Sequence, residues 1–411
     1  MKFAHMADLH LGGWRDPELE RINLEAFEKA MDTCLREQVD FILISGDFFD
    51  TSMPPFDILD FVSKKLNDVK LAGIPVYSIS GSHDYSPSGK TILKVLENAE
   101  LLINVAKGDE SGEGKIKLRF VTDKKTGAKI MGIFGKKGAL EEEFYKQLDR
   151  SIEDEQGYKI FLFHSGIAEF RPDYLKDVPA MPLSLLPKGF DYYAGGHIHH
   201  RNEQVYGKGK VVFPGPLFPC NFQELERFGN GGFYIIENGS PRFIDINNHD
   251  VKVIKADAKG KSAKEVESEL LAKVESLGKA TGDACFILLI RVSGTLNEGK
   301  PSEINFRKLT EDAQKRGALV VRRNTNALSS LEYEEVKVSA DSIEQLEEKL
   351  ITENMGKSKM KGERGLISAM MKALDVEKME GETTATFEAR LLSEADTAVS
   401  ESHQSSHLKN T

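Results

Sequence analysis

The chain has 411 residues, 40% hydrophobic and 29% charged, enough to bury a substantial core divided among two or three units. A formal net charge of −10 argues against a generic nucleic-acid binder with a basic face, although bound divalent cations and local Lys/Arg clusters can reverse the field where it matters. No run of about 18 apolar residues argues for a membrane span, and the start MKFAHMADLH lacks the layout of a signal peptide. Cys34, Cys220 and Cys285 are scattered with no CxxC, so neither a disulfide framework nor a thiolate zinc site is expected, and the chain reads as cytoplasmic.

In chain order, the first 200 residues repeat a short apolar strand, a polar loop and an amphipathic helix. KFAHMAD reads as a strand, and the following helix carries Leu24, Phe27, Met31 and Leu35 on one face. VDFILISGD is a buried strand, followed by a helix near 54–70 opened by Pro54 and Pro55. IPVYSISGSHD and KTILKVLENA give a third strand and helix; strands follow near 101–105, 116–121 and 129–134, then a helix near 140–151. YKIFLFHSG and FDYYAGGHIHH are two further strand-to-loop exits, and antiparallel strands close the domain near residue 245. The alternation implies an α/β layered core. A helix with Val266, Leu270 and Val274, the strand ACFILLIRVSG, a helix near 303–315 and the strand GALVVRRN form a small α/β module over 250–340. Beyond it, 341–394 reads as helices around the linker-like MGKSKMKGERG, and 395–411 as a polar, disordered tail.

Five polar clusters sit where apolar strands end: Asp8 and His10; Gly46, Asp47 and Asp50; Gly81 to Asp84; His164; and His197, His199 and His200. In open α/β sheets the ligand crevice lies at the carboxyl ends of the strands, so all five converge on one edge. Asp8 and His10, like His197 and His199, are two apart, which in extended backbone directs both side chains to one side. Imidazole and carboxylate donors suit manganese, iron or zinc, and no thiolate is on offer. Seven or eight donors are too many for one tetrahedral ion and fit two ions about 3.5–4 Å apart sharing a carboxylate. Singly, each cluster has a bland reading as a turn, a surface pair or a hydrogen-bonded core histidine. Their ordered conjunction does not.

This ordered series resembles the signature of the calcineurin-like metallophosphoesterases over about residues 1–240. Within that family, HMADLHLG, GDFFDTSMPP, YAGGHIH and the length beyond residue 240 resemble the double-strand-break repair nucleases of the SbcD or meiotic-recombination-eleven type. The resemblance implies an α/β/β/α sandwich (1–245), a DNA-specificity capping domain (250–340) and a carboxyl-terminal partner-binding segment. It implies one ion held by Asp8, His10 and His199, another by His164 and His197, and Asp47 bridging them, with two Mn2+ per subunit. Where the family usually has asparagine this chain has Ser82, a shorter and poorer neutral donor that ligates weakly, acts through water or leaves the second ion less tightly bound. His83 is expected to contact phosphate and protonate the leaving sugar oxygen, with Asp84 orienting it.

The expected activity is Mn-dependent hydrolysis of DNA phosphodiesters, as a 3′-to-5′ exonuclease and single-strand endonuclease in double-strand-break repair. Arg322 and Arg323 are candidates for backbone phosphate contacts, with a solvated basic pair as the plain alternative. Trp14, the single tryptophan, can stack on a base or pack against the adjacent helix. Leu366, Met370 and Leu374 recur at i, i+4 and i+8 beside Ile367 and Met371, and Phe387 and Leu391 repeat the spacing. The resemblance implies that these helices grip an SMC-like ABC ATPase of the SbcC type, and that the chain forms a homodimer through helices of the catalytic domain. Two rivals stand beside this reading: another phosphoesterase on the same scaffold, such as a protein phosphatase or cyclic-nucleotide phosphodiesterase, and a non-catalytic repair scaffold.

Overall fold

The computed structural model describes residues 1–86, 91–110, 114–136, 140–247, 249–279, 285–331, 370, 374, 376 and 384–407. The chain divides into two units, Met1–Leu328 and Ser329–Thr411. In the first, two six-stranded mixed sheets are packed face to face. One sheet runs, edge to edge, Ser240–Ile246, Gly231–Glu237, Lys2–Met6, Phe41–Ser45, Val76–Ile79 and Ile103–Asn104. Its last four strands are parallel. The other runs Asn202–Tyr206, Gly209–Phe213, Tyr192–Gly196, Lys159–His164, Lys129–Ile133 and Val121–Thr122, with its middle four strands parallel.

The period of two along each strand decides what lies between the sheets and what lies outside them. Phe3, Phe41, Leu43, Tyr77, Ile160, Leu162, Tyr192 and Ala194 fill the space between the sheets, where Phe3 stacks on Phe41 at 4.9 Å. The alternate residues Ala4, Met6, Ile42 and Ile44 turn to the other face, against the helices Pro17–Arg36 and Phe56–Leu71. The first helix starts where Asp16 accepts from the Glu18 and Leu19 amides and Pro17 opens the first turn. Its buried stripe is Leu19, Ile22, Ala26, Phe27, Ala30, Met31 and Cys34, with Leu24 and Leu35 at the margin. On the second sheet, Phe161, Phe163 and Tyr193 turn outward under a thinner layer that includes Tyr145 and Ile152.

The single helix expected near 140–151 is broken. A helix covers Glu142–Lys146 and a 3-10 turn Arg150–Glu153, because Leu148 bridges to Ile116 and Asp149 caps the second turn through the Ser151 amide. The consequence of parallel strands in both sheets is that the ends of Lys2–Met6, Phe41–Ser45, Val76–Ile79, Lys159–His164 and Tyr192–Gly196 open at the same edge.

Residues 250–330 add a three-stranded sheet, Asp250–Asp257, Phe286–Leu296 and Ala318–Ser330, with the helices Ala263–Ser276 and Phe306–Gln314. A capping box of Ser262 and Glu265 starts the first of these helices. Leu288, Ile290, Val266, Leu270 and Leu309 form a core of their own, whereas Ile287, Leu289 and Val320 on the opposite face join the core beside the first sheet. Glu226 ties the two together by pairing with Arg291 and with Lys255 at 2.9 Å. Residues 332–340 of the expected module lie outside the described residues.

In the second unit a helix covers Thr384–His407. The disordered tail expected from residue 395 is corrected as far as His407: this stretch contains neither glycine nor proline, the two residues that most oppose a helix interior. Phe387 and Leu391 lie four residues apart on this helix. Met370 and Leu374 are helical; Leu366, Ile367 and Met371 lie outside the described residues. Among the described residues no helix is long and apolar enough to cross a membrane.

Candidate metal centre

The shared edge gathers Asp8, His10, Asp47, His83, His164, His197 and His199, although they come from five separate stretches of chain. Asp8, His10, Asp47 and His197 have φ of 53°, 43°, 50° and 83°. The expectation that Asp8 and His10 share a side through extended backbone is therefore corrected: both follow the strand's end in left-handed turns. Each such residue costs about 1–3 kcal/mol, a strain that concentrates at functional sites. Backbone bonds brace these turns, with the Asp8 amide on the Gly46 carbonyl at 3.1 Å and the His10 amide on the Asp47 carbonyl at 3.0 Å. Asn23 holds the same loop by donating to the carbonyls of Leu9 and His10. Close approach is made possible by glycine: a Cβ on Gly46 would strike the His164 imidazole, and one on Gly81 the Asp47 carboxylate.

The Asp47 carboxylate divides its two oxygens. Oδ1 accepts the His83 amide at 2.8 Å, and Oδ2 lies 3.6 Å from His10 Nε2 and 3.1 Å from His164 Nε2. On one side, His10 Nε2 and His199 Nε2 face each other at 3.2 Å. His10 Nδ1 is bound to Asp50 Oδ1 at 3.1 Å, and His199 Nδ1 to Glu224 Oε1 at 3.0 Å. Each carboxylate claims the Nδ1 proton, so with a cation between them both Nε2 atoms would turn lone pairs to the same point. On the other side, His164 donates Nδ1–H to the Ser45 carbonyl at 2.8 Å, which leaves its buried Nε2 facing Asp47 Oδ2. His197 adjoins it with ring centroids 5.1 Å apart, and burial lowers the His197 pKa to about 3, keeping it neutral.

Asp8 Oδ1 accepts the His197 amide at 2.9 Å, and its fully buried Oδ2 has no partner. Among the described residues, Asp8 and Asp47 make ion pairs only with histidines. Burial opposes ionisation of Asp47, but the adjacent His164 and His10 more than reverse this and hold its carboxyl well below the usual range. Converging imidazoles, buried carboxylates and an orphaned Asp8 Oδ2 are what divalent cations require and what a neutral core does not tolerate. The residues fit a metal centre.

His83 stands at the rim. Its ring is edge-on to His10 at 4.7 Å, its side chain is 41% exposed, and Nδ1 bonds the Asp50 carbonyl at 2.9 Å. The hydrogen bond to Asp50 leads in raising its pKa to about 9, so the ring is cationic at neutral pH. Asp84, expected to orient His83, does something else: its carboxylate accepts the amides of Phe48, Phe49 and Gly81 and clamps two loops together. A carboxylate buried at the base of a turn is closer to backbone donors than to a side chain leaving the turn. Asp50 takes the orienting role. Ser82 is buried with Oγ 3.4 Å from Asp47 Oδ2.

Sequence reading missed Glu224, Asn23 and Cys220. The side chains of Cys220, His10 and His199 offer donor atoms within 4.8 Å of one another, which corrects the expectation that no thiol is on offer. Spacing along the chain could not reveal it, because Cys220 is 21 residues from the nearest of the two. Trp14 packs against the core and donates its indole N–H to the Pro219 carbonyl at 3.1 Å, the packing alternative to base stacking. Arg322 is exposed and lies 3.6 Å from Asp16; Arg323 covers the Phe306 ring at 4.9 Å.

Residues 1–201 match the calcineurin-like phosphoesterase family. The DNA double-strand break repair protein Mre11 of Archaeoglobus fulgidus is 23% identical over 382 residues, covering 85% of this chain and 80% of that one. Mre11 of Methanococcus maripaludis is 32% identical over 224 residues, covering 52% of this chain and 55% of that one. The uncharacterized metallophosphoesterase YhaO of Bacillus subtilis is 28% identical over 265 residues, 61% of each chain. The match thus spans more than two thirds of the first of these relatives and less than that of the other two. Residues 1–201 thus carry a calcineurin-like phosphoesterase domain.

Proposed function

We propose that the chain is a two-metal phosphodiesterase that acts as a Mn-dependent DNA nuclease in double-strand-break repair. The observation that carries the reading is the position of Asp47 Oδ2 between His10 Nε2 and His164 Nε2, with each imidazole belonging to a different cluster of donors. Asp8, His10 and His199 hold one ion, His164 and His197 the other, and Asp47 both; Ser82 supports the second weakly. Two bound ions supply positive charge for the phosphoryl oxygens and lower the pKa of an attacking water. His83, cationic and held by Asp50, donates a proton to the departing sugar oxygen. Buried Asp84 keeps the loops bearing Asp47 and His83 in register.

DNA as the substrate is supported by the relatives called double-strand break repair proteins, some of which match beyond the catalytic domain. The module at 250–330 then flanks the substrate cleft, with Arg322 and Arg323 as phosphate contacts at its edge. Met370 and Leu374, with Phe387 and Leu391 on the helix Thr384–His407, contribute to the site for an SMC-like ABC ATPase. Exposed Met53, Phe56 and Leu71 around the helix Phe56–Leu71 support pairing with a second copy.

The test compares linear duplex DNA with a cyclic nucleotide and a phosphopeptide in the presence of Mn2+. Turnover of DNA alone, with release of mononucleotides from the 3′ end, is expected. Turnover of only a small ester or a phosphopeptide rejects the nuclease assignment while leaving the phosphoesterase centre in place.

A further inference from the structure

We infer that Cys220 is a sulfur ligand of the ion held by Asp8, His10 and His199, which makes this half of the centre selective for zinc-like over manganese-like cations. The inference deepens the two-ion reading and rests on it. Its geometry begins with Glu224, which has two oxygens engaged in different tasks. Oε1 holds His199 Nδ1 at 3.0 Å, and Oε2 accepts the Cys220 amide at 2.8 Å. One carboxylate therefore sets the imidazole and the cysteine in a common frame. The preceding residue is fixed as well, because the Pro219 carbonyl accepts from Trp14.

Within this frame the Cys220, His10 and His199 donor atoms lie inside a 4.8 Å cluster. His10 also belongs to the cluster with Asp8 and Asp47, where Asp8 Oδ2 is buried without a hydrogen-bond partner. That orphaned oxygen points independently to a cation beside His10, the residue the two clusters share. Besides the adjoining His199 ring, the thiol's partner is the Phe218 carbonyl at 3.4 Å, a weak S–H bond. No comparable sulfur adjoins His164 and His197 among the described residues.

On binding, the sulfur–metal bond forms as the S–H bond breaks, and the proton passes to solvent; no electron is transferred. A thiolate with two imidazoles and a carboxylate favours Zn2+, Co2+ or Fe2+, whereas oxygen-rich sites suit Mn2+. The two ions of this chain are therefore not equivalent: a thiophilic ion on the Cys220 side and a harder one on the Ser82 side.

The experiment titrates the full-length metal-free chain with Co2+ alone, following near-ultraviolet and visible absorption, with bound Co2+ counted by equilibrium dialysis. A thiolate-to-cobalt charge-transfer band is expected in the wild type and in Cys34→Ser and Cys285→Ser, and is lost in Cys220→Ser and Cys220→Ala. Zn2+ affinity of the tighter site falls by about 10-fold or more in both Cys220 variants, at least the loss seen when a supporting group is removed. Mn2+ affinity of the other site does not change. Co2+ bound without the sulfur band, or a band that survives in Cys220→Ser, overturns the inference and leaves the metal centre standing. No Co2+ bound at all overturns both.

Discussion

Around Asp47, the two halves of the centre are supported by different chemistry. His10 and His199 are each backed by a carboxylate, Asp50 or Glu224, whereas His164 is backed by the Ser45 carbonyl and has Ser82 nearby. A carboxylate on Nδ1 raises the basicity of Nε2 and fixes its tautomer more firmly than a neutral carbonyl does. The difference teaches that ligand identity alone does not set affinity: under the proposed two-ion reading, the half lined by His10 and His199 would hold its ion more tightly than the half lined by His164 and His197.

The largest expected effect tests what the halves share. Asp47→Ala removes the carboxylate oxygen that faces the Nε2 atoms of both His10 and His164. Both ions are lost in equilibrium dialysis, and turnover falls by more than about 10³-fold. Retention of two ions by this variant breaks the comparison at its root. Next comes His83, which belongs to neither half. His83→Ala keeps both ions and loses about 10²–10⁴ in turnover. Because Asp50 raises the pKa of His83, Asp50→Asn lowers it, and the alkaline limb of the pH–rate profile moves to lower pH. A limb that stays in place excludes His83 as the proton donor.

Two smaller effects separate the halves directly. Glu224→Gln weakens the tighter ion by about 10–100-fold while leaving the weaker one unchanged, read as two resolved steps in calorimetry. Equal loss at both steps means that the halves do not differ in the way described. Ser82→Asn, which lengthens the side chain and supplies a carboxamide oxygen, strengthens the weaker ion by up to about tenfold. A second step that is unchanged or weaker places Ser82 outside the coordination sphere.

Much of the site was legible in the chain itself. The order of Asp8, His10, Asp47, His83, His164, His197 and His199, each behind an apolar strand, required only that parallel strands end at a common edge. The two-residue spacing of Asp8 and His10 suggested the right association for the wrong reason, because left-handed turns and not extended backbone aim them. Asp84 was misplaced because adjacency to His83 says nothing about which backbone amides lie beneath it. The broken helix at 142–153 depended on a bridge to Ile116, a contact that periodicity cannot contain.

Local residue chemistry, then, determined the strands, the amphipathic helices and the inventory of imidazoles and carboxylates, since each depends on neighbours within a few positions. Tertiary structure alone decided that Glu224 stands behind His199 and that Cys220 shares its frame. It also decided that one oxygen of Asp47 faces two imidazoles 154 residues apart, His10 and His164. Those relations arise from packing one sheet on another, which brings together groups whose separation along the chain carries no record of their distance in space.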